Sequence, residues 1–292
     1  MTVKTVEREE IFKSSIEYKT PNGILIAIGG AESKGATDEH AEIANHNYVK
    51  FEILQRFVDE LKVKNPLVVV IPTASESPEA VGQDYVRVFR KLKVKNVKVL
   101  NIASREDSCQ EEYLALIQKA TGVMFTGGDQ LRLTSIFGGT EIMRLIKYRY
   151  YKDKLVIAGT SAGAAAMSTQ MIFQGKSEGF IKGSVSITAG LELLNDVAID
   201  THFIARGRIV RMVQMIATNP TFIGIGLEED TGVVVKKGNQ LEVIGSGLVT
   251  IVDGRESTYT NIYEIDEGAP VTMRDLRVHL LGKGDTYTLE IF

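Results

Sequence analysis

Apolar and polar residues alternate in two recurring patterns over the first 220 residues. Short, nearly continuous Val and Ile runs, such as "PLVVVIPTASES" at 66–77, are typical of strands buried on both faces of a parallel sheet. Between these runs, segments such as "FEILQRFVDEL" at 51–61 carry apolar residues three and four apart, the spacing of an amphipathic helix. The alternation predicts βαβ units and therefore a doubly wound α/β fold: a mainly parallel sheet with helices on both faces.

The pattern changes near Pro220. The segment "FIGIGLEEDTGVVVKKGNQLEVIGSGLVTIVDG" consists of short apolar runs joined by glycine-containing turns, which predicts antiparallel hairpins that extend the sheet edge. The C-terminal "RVHLLGKGDTYTLEIF" predicts one more hairpin. We expect a polar N-terminal lead over residues 1–22 and a single α/β domain over residues 23–292, with the hairpin-rich, antiparallel extension beginning at about residue 221.

The stretch "VIAGTSAGAAAM" at 156–167 places a single serine between two glycines at the end of a predicted strand. In open α/β sheets, ligands bind beyond the carboxyl ends of the strands. "GTSAG" fits the Gly-x-Ser-x-Gly pattern of a nucleophile elbow, whose glycines permit a sharp turn that exposes the serine. Ser161 is then the candidate nucleophile, and the amides of Gly128 and Ala162 are candidate oxyanion donors. The alternative, that small residues only allow tight helix–sheet packing, stays open.

A serine nucleophile needs a general base and an acid that orients the base. The four histidines of the chain are His40, His46, His202 and His279. His202 is the candidate base because it follows the apolar run "VAID", and we expect it to share a strand face with Asp200. Three consecutive acids follow the run "GIGL": Glu228, Glu229 and Asp230. Strand alternation sends neighbouring carboxylates to opposite sides, but the residues alone do not choose among the three.

Three arginines follow His202 within a short distance: Arg206, Arg208 and Arg211. The apolar residues after Arg208 have helical spacing, so Arg208 and Arg211 should share a face near a helix N-terminus. Such a site favours anions, and guanidinium groups bind carboxylates in a forked geometry. The arginines are therefore candidates for substrate binding, with a solvated basic surface as the alternative.

Six segments in order make the chain resemble the cyanophycinases and, more distantly, the peptidase E family of serine peptidases. They are "IGGAE", "IPTAS", "FTGGDQ", "GTSAGA", "DTHFIARGRIVR" and "GIGLEEDT". The resemblance implies a serine-hydrolase domain with Ser161 as the nucleophile, His202 as the general base and Glu229 as the orienting acid. It also implies a substrate pocket shaped by Gln130, Asp200, Thr201, Arg206, Arg208 and Arg211. Thr201 departs from the glutamine that cyanophycinases often carry there, so a hydroxyl replaces a pocket amide.

The activity implied by the resemblance is hydrolysis of cyanophycin, multi-L-arginyl-poly-L-aspartate, to β-Asp-Arg dipeptides through an acyl-enzyme. In this interpretation the arginines bind a substrate carboxylate and Asp200 faces the substrate guanidinium. The nearest alternative is a peptidase E-like dipeptidase acting on short Asp-X or isoaspartyl peptides. An alternative of another class is a non-catalytic binding module on the same fold. The resemblance further implies a homodimer.

Composition and charge limit the classes of binding partner and the cellular compartment that we expect for this protein. The formal net charge of -3 gives no general attraction to nucleic acid or to anionic membranes. Cys109 is the single cysteine, which excludes an intramolecular disulfide and fits a reducing compartment. The charged N-terminus is unlike a signal peptide, and no apolar run reaches the roughly 20 residues of a membrane span. We expect a cytoplasmic enzyme without metal or cofactor, since no Cys and His cluster has ligand spacing.

Overall fold

The structure, a computed structural model, describes residues 20–35, 47–175 and 179–290. Its α-helices are α1 (Glu52–Glu60), α2 (Pro78–Lys91), α3 (Glu111–Lys119), α4 (Gln130–Phe137), α5 (Glu141–Lys152), α6 (Ala162–Ala165) and α7 (Ile209–Thr218). Its first eight strands are β1 (Ile24–Ile28), β2 (Leu67–Ile71), β3 (Asn96–Val99), β4 (Gly122–Phe125), β5 (Val156–Thr160), β6 (Gln170–Gly175), β7 (Val185–Ala189) and β8 (Val197–Thr201). The remaining strands are β9 (Ile223–Leu227), β10 (Thr231–Lys236), β11 (Gln240–Gly245), β12 (Val249–Asp253), β13 (Tyr259–Thr260), β14 (Met273–Arg274), β15 (Arg277–Leu281) and β16 (Thr286–Thr288).

The larger sheet of the described chain has the strand order β16-β11-β10-β1-β5-β4-β2-β3. The five strands from β1 to β3 in that order are parallel. Strands β10, β11 and β16 continue the sheet beyond β1 in antiparallel pairing. The predicted α/β class is therefore confirmed, with a mainly parallel sheet and a hairpin-rich C-terminal region.

Both faces of this sheet are covered by helices. Leu25 and Ala27 of β1 point into one hydrophobic core, which includes residues of α3, α4, α5 and α6. Ile26 and Ile28 point into a second core on the opposite face, which α1 and α2 cover. Successive residues of a strand face opposite ways, so each continuous Val and Ile run contributes side chains to both cores. This confirms the doubly wound arrangement.

The C-terminal region differs from the sequence prediction in two respects. The predicted hairpin over residues 277–292 is wrong, because β15 pairs with β12 whereas β16 pairs with β11. The strands of this region also do not all extend one sheet, because β12 and β15 join β8 and β9 in a separate sheet of order β15-β12-β9-β8. Strand β8 pairs in parallel with β9, whereas β12 pairs antiparallel with β9 on one side and with β15 on the other. Short amphipathic strands of this kind have the same sequence pattern in either sheet, so the pattern does not specify the partner.

The described elements that were not predicted include helix α4, the short β13–β14 pair and the β6–β7 hairpin. The strands of this hairpin are largely half-buried, so their apolar alternation is weak. The division into a polar lead over 1–22 and a single domain over 23–292 stays a prediction, and residues 1–19 of that lead lie outside the described chain. Within the described helices, none is long and apolar enough to span a membrane.

The glycines of "GTSAG" bring α6 directly against the sheet. A Cβ added at Gly163 would lie 2.5 Å from the carbonyl oxygen of Phe125 in β4. One added at Gly159 would lie 2.5 Å from the backbone of Gly163. No side chain fits at either position without moving backbone, so tight helix–sheet packing is one real function of this motif.

Replacing Gly163 with alanine should destabilise the protein. The new methyl group meets backbone that cannot move aside, and such overpacking costs about 1–3 kcal/mol. The matched control is Gly282→Ala, where the new Cβ would approach the Asp285 carboxylate no closer than 3.8 Å. Denaturant unfolding of both variants measures the difference. Equal stability of the two variants would contradict the packing argument.

Candidate active site

Ser161 occupies a strained turn between β5 and α6. Its backbone angles are φ 50° and ψ -110°, and a positive φ is uncommon for a residue other than glycine. Two sets of hydrogen bonds hold the turn: the Ser161 amide donates to the Ile28 carbonyl at 2.9 Å, and its carbonyl accepts from the amides of Ala164 and Ala165. This strand–turn–helix geometry is that of a nucleophile elbow.

His202 reaches Ser161 from the end of β8, in the separate sheet β15-β12-β9-β8. Its Nε2 lies 3.1 Å from the Ser161 Oγ. The residue follows β8 with a φ of 50°, and its amide donates to the Gly29 carbonyl at 3.0 Å. The prediction that His202 shares a strand face with Asp200 is wrong, because this left-handed turn takes His202 out of the strand while Asp200 stays buried within it.

Glu229 is the acid that meets the imidazole. Its Oε1 lies 2.6 Å from the Nδ1 of His202. The neighbouring Glu228 turns away, and its Oε2 accepts hydrogen bonds from the amides of Ile204 at 2.7 Å and Ala205 at 3.2 Å. Glu228 thus braces the turn that follows His202. The geometry brings together Ser161, His202 and Glu229 as a continuous hydrogen-bonded chain.

Asp230, the last of the three consecutive acids, is held by a different set of hydrogen bonds. Its carboxylate accepts hydrogen bonds from the Ser33 amide at 3.3 Å and the Ser246 hydroxyl at 2.8 Å. Burial raises the pKa of the Asp230 carboxyl, and those two hydrogen bonds oppose the rise. Asp230 therefore connects the loop after β1 to the turn before β10.

Two backbone segments adjoin Ser161: the loop after β4 and the start of α6. A Cβ added at Gly127 would lie 3.4 Å from the Ser161 Cβ, so this loop passes directly beside the serine. Gly128 has a φ of 139°, and a Cβ there would lie 2.0 Å from the Ala74 carbonyl oxygen. Ala162 begins α6. The predicted oxyanion donors, Gly128 and Ala162, thus lie in the two segments that adjoin Ser161.

Asp200 holds two of the three arginines. Its side chain is buried, at 2% exposure. Its Oδ2 accepts a hydrogen bond from the Arg211 Nε at 2.5 Å. Its Oδ1 accepts a second hydrogen bond from Arg211 and one from the Arg208 Nη1 at 3.0 Å. Arg208 also donates to the Thr201 carbonyl at 2.6 Å. The expectation that Asp200 faces a substrate guanidinium does not fit this geometry, since both oxygens are already bound to the protein's own arginines.

The arginines differ in exposure. The side chain of Arg211 is 7% exposed and that of Arg208 is 16% exposed, whereas Arg206 is exposed. Burial lowers the pKa of the Arg208 guanidinium; the neighbouring arginines lower it further, and Asp200 opposes them. The Asp200 carboxylate thus faces the buried Arg211 and the partly exposed Arg208, which leaves these three side chains with surplus positive charge.

Gln130 and Thr201 complete the predicted pocket residues. Gln130 begins α4, and its Nε2 donates to the Ile172 carbonyl of β6 at 3.1 Å. Thr201 is 3% exposed at the end of β8. Gln130 therefore fastens the β6–β7 hairpin to the edge of the site, and Thr201 contributes its carbonyl to Arg208.

Comparison with known proteins identifies the family. Residues 40–244 match Peptidase family S51. The chain belongs to this family. It is 35% identical over 285 residues to the cyanophycinase of Synechococcus elongatus, covering 97% of this chain and 84% of that one. It is 37% identical over 264 residues to the cyanophycinase of Geminocystis herdmanii, covering 90% and 92%.

A solved structure agrees with the fold of this peptidase. The crystal structure of a peptidase from an acI-B1 Actinobacterium superposes with a TM-score of 0.62 at 20% identity, covering 93% of this chain and 98% of the other. At that identity the likeness shows the shared fold.

Gly30 is a site residue of the peptidase that sequence reasoning missed. A Cβ added there would lie 2.5 Å from both Cε1 and Nε2 of His202, so the imidazole rests on the Gly30 backbone. The φ of Gly30 is 103°, which L side chains rarely adopt. The glycines of "IGGAES" indicated an edge loop, but a sequence does not say which side chain a glycine accommodates.

Among the described residues, His279 and Cys109 take no part in this chain of hydrogen bonds. The ring of His279 packs on Tyr287 at a centroid distance of 5.4 Å, and Cys109 is an exposed thiol. His40 and His46 lie outside the described residues. Over the described ranges, no group of three or more His, Cys, Asp or Glu side chains is placed to hold a metal ion.

Alanine at Gly30 should abolish most activity of a folded enzyme. The methyl group displaces the His202 ring from Ser161, and a misplacement of about 1 Å costs about 100-fold in rate. Gly139→Ala is the matched control, since Gly139 also has a positive φ, of 72°, but nothing lies within 4 Å of its added Cβ. Steady-state kinetics with thermal unfolding of both variants separate displacement from backbone strain. Parent-like activity in Gly30→Ala would refute the contact.

Glutamine at Glu229 should lower kcat while preserving the shape of the site. The amide has no charge to stabilise an imidazolium, and similar changes in serine peptidases cost about 10⁴-fold. Glu228→Gln is the comparison, because its amide oxygen still accepts backbone hydrogen bonds, and we expect a loss below about tenfold. Kinetics of the two neighbouring variants test the assignment. A larger loss in Glu228→Gln would mean that the wrong acid has been chosen.

Proposed function

We propose that this peptidase hydrolyses cyanophycin, multi-L-arginyl-poly-L-aspartate, to β-Asp-Arg dipeptides through an acyl-enzyme. The observation that carries the proposal is the hydrogen-bonded chain of Ser161, His202 and Glu229 beside surplus arginine charge. Relatives 35% and 37% identical over most of the chain are named cyanophycinases, which supports the choice of substrate.

In the proposed reaction, the Ser161 Oγ attacks the carbonyl carbon of a backbone aspartyl unit. His202 Nε2 takes the serine proton and returns it to the leaving amine, whose C–N bond breaks as the acyl-enzyme forms. Water then attacks the ester with His202 again as the base, which releases the dipeptide and restores Ser161. Glu229 holds the imidazole through Nδ1 and stabilises the imidazolium in both steps.

The oxyanion of each tetrahedral intermediate needs donors on the opposite side of the carbonyl. We assign this role to the amides of Gly128 and Ala162, in the two segments that adjoin Ser161. Each such donor contributes about 3 kcal/mol to the transition state in other hydrolases. The assignment explains why small residues occupy both segments, since side chains there would block the carbonyl.

Substrate binding is assigned to the arginine cluster. Each cyanophycin unit carries a branch α-carboxylate, which Arg206 and Arg208 can bind because Asp200 neutralises only part of the cluster. Arg211 is buried and acts by holding Asp200, which in turn orients Arg208. Gln130 and Thr201 shape the pocket wall. We further propose, from the family resemblance, that the enzyme is a cytoplasmic homodimer.

A dipeptidase that acts on short Asp-X or isoaspartyl peptides is the second candidate. The same surplus positive charge would bind the C-terminal carboxylate of such a dipeptide, so the cluster suits either substrate. A non-catalytic binding module is disfavoured, because a binding function does not need the strained Ser161 turn, which would cost about 1–3 kcal/mol without benefit.

The decisive experiment incubates purified cyanophycin with the enzyme and with Ser161→Ala, and identifies the products by mass spectrometry. We expect β-Asp-Arg from the enzyme and a loss of at least about 10³-fold from the variant, since residual catalysis without the nucleophile is small. Short Asp-X and isoaspartyl dipeptides are assayed in parallel. Cleavage of those dipeptides with intact polymer would establish the dipeptidase, and inactivity toward both would refute the peptidase mechanism.

A further inference from the structure

The end of β1 touches all three arms of the catalytic chain. Three consecutive carbonyls, at residues 28–30, each accept an amide hydrogen bond from one arm. The pairs are Ile28 with Ser161 at 2.9 Å, Gly29 with His202 at 3.0 Å, and Gly30 with Asp230, the neighbour of Glu229, at 2.8 Å. The relative positions of nucleophile, base and acid therefore depend on the placement of this one segment.

Glu32 ends the same segment with a buried carboxylate that the proposed mechanism does not use. Its relative exposure is 4%. The carboxylate accepts hydrogen bonds from the hydroxyls of Thr160 and Tyr85 and pairs with the Lys34 Nζ at 3.2 Å. Burying a charge is costly unless it is paired and hydrogen-bonded, and here all the partners belong to the walls of the site.

The two hydroxyl partners each fix a different element to the segment. Thr160 is the last residue of β5, and it immediately precedes Ser161. Tyr85 lies on α2 and is fully buried; burial and the Glu32 carboxylate raise its pKa, so its hydroxyl stays a donor. The carboxylate thus ties the segment after β1 to the strand that carries the nucleophile and to the helix behind it.

The segment has a second tie on its other side. The Ser33 amide donates to the Asp230 carboxylate at 3.3 Å, and Asp230 directly follows Glu229. Residues 29–33 are consequently fastened at Glu32 to the nucleophile strand and at Ser33 to the acid turn. Without either tie, a loop with two adjacent glycines has wide conformational freedom.

We infer that Glu32 is a positioning residue, whose carboxylate fixes residues 29–33 against Thr160 and Tyr85 and thereby sets the geometry of Ser161, His202 and Glu229. The inference rests on the proposed function, because it presupposes that these three groups form the catalytic chain. Glu32 acts through the backbone and Thr160, and it touches no reacting atom.

The test uses Glu32→Gln and Thr160→Val, which remove the charge or the hydroxyl while nearly preserving volume. We expect kcat to fall about 10- to 100-fold, because a displacement below about 1 Å has costs of this order. KM should change less than about threefold, since the arginine cluster that binds substrate is separate. Thr160→Ser restores the hydroxyl and should recover most of the activity.

Reaction with a fluorophosphonate reports on Ser161 independently of the polymer. The rate of phosphonylation of Ser161 should fall in both variants in proportion to kcat. Glu60→Gln is the control for loss of a buried carboxylate: Glu60 is 7% exposed and pairs with Arg56 and Lys236. Lys236 lies opposite Ile24 at the start of β1, away from the site, so this variant should lose stability but keep its phosphonylation rate.

The outcomes separate the two proposals. A parent enzyme that neither hydrolyses substrate nor reacts at Ser161 refutes the proposed function and the inference with it. A reactive parent whose folded Glu32→Gln and Thr160→Val variants react at the parental rate overturns the inference alone. If Glu32→Gln fails to fold, the result for Thr160→Val decides the question. Lower thermal stability of the variants without slower phosphonylation would mean that Glu32 has a merely structural role.

Discussion

The carboxyl end of β1 is the constraint on which the site depends. Strand β1 lies between β5 and β10 in the larger sheet, so its last carbonyls adjoin the residue after β5 and the residue before β10. His202 arrives at the same point from β8 of the separate sheet and donates to Gly29. The hydrogen-bonded chain of Ser161, His202 and Glu229 therefore forms where two sheets meet, and backbone hydrogen bonds, which are strong and directional, fix the approach of all three groups.

Two strained residues are stabilised at this junction. Ser161 and His202 both have a φ of 50°, and such conformations cost about 1–3 kcal/mol each unless the surroundings over-determine them. The close packing of α6 on β4 and β5 supplies that stabilisation for Ser161. Packing and catalysis are thus not alternatives for "GTSAG", because the glycines that admit the helix also hold the turn that exposes the hydroxyl.

The sequence predicts the local features of this arrangement well. Continuous Val and Ile runs and helical spacing identify the parallel sheet, and the elbow is visible because its pattern spans only five residues. The prediction that His202 and Asp200 share a strand face was wrong, because strand alternation applies only while the strand continues. A histidine at position 202 does not by itself indicate a left-handed turn. The choice of Glu229 came from family resemblance, because three adjacent acids differ only in tertiary contacts. The contact of Gly30 with His202 and the separate second sheet likewise arise from residues far apart in the chain.

The proposed role of the arginine cluster in substrate binding rests on its electrostatics. Full neutralisation of two buried guanidiniums would need two carboxylates, and Asp200 supplies one. The Asp200 carboxylate is enough to hold Arg211 in the protein and to orient Arg208, but it leaves the arginine cluster with a positive charge. Arg208 keeps partial exposure, so its guanidinium remains accessible to a ligand. If the cluster binds a substrate carboxylate as proposed, recognition of that negative group is coupled to the turn that carries His202, because the Arg206 amide donates to the His202 carbonyl at 3.0 Å.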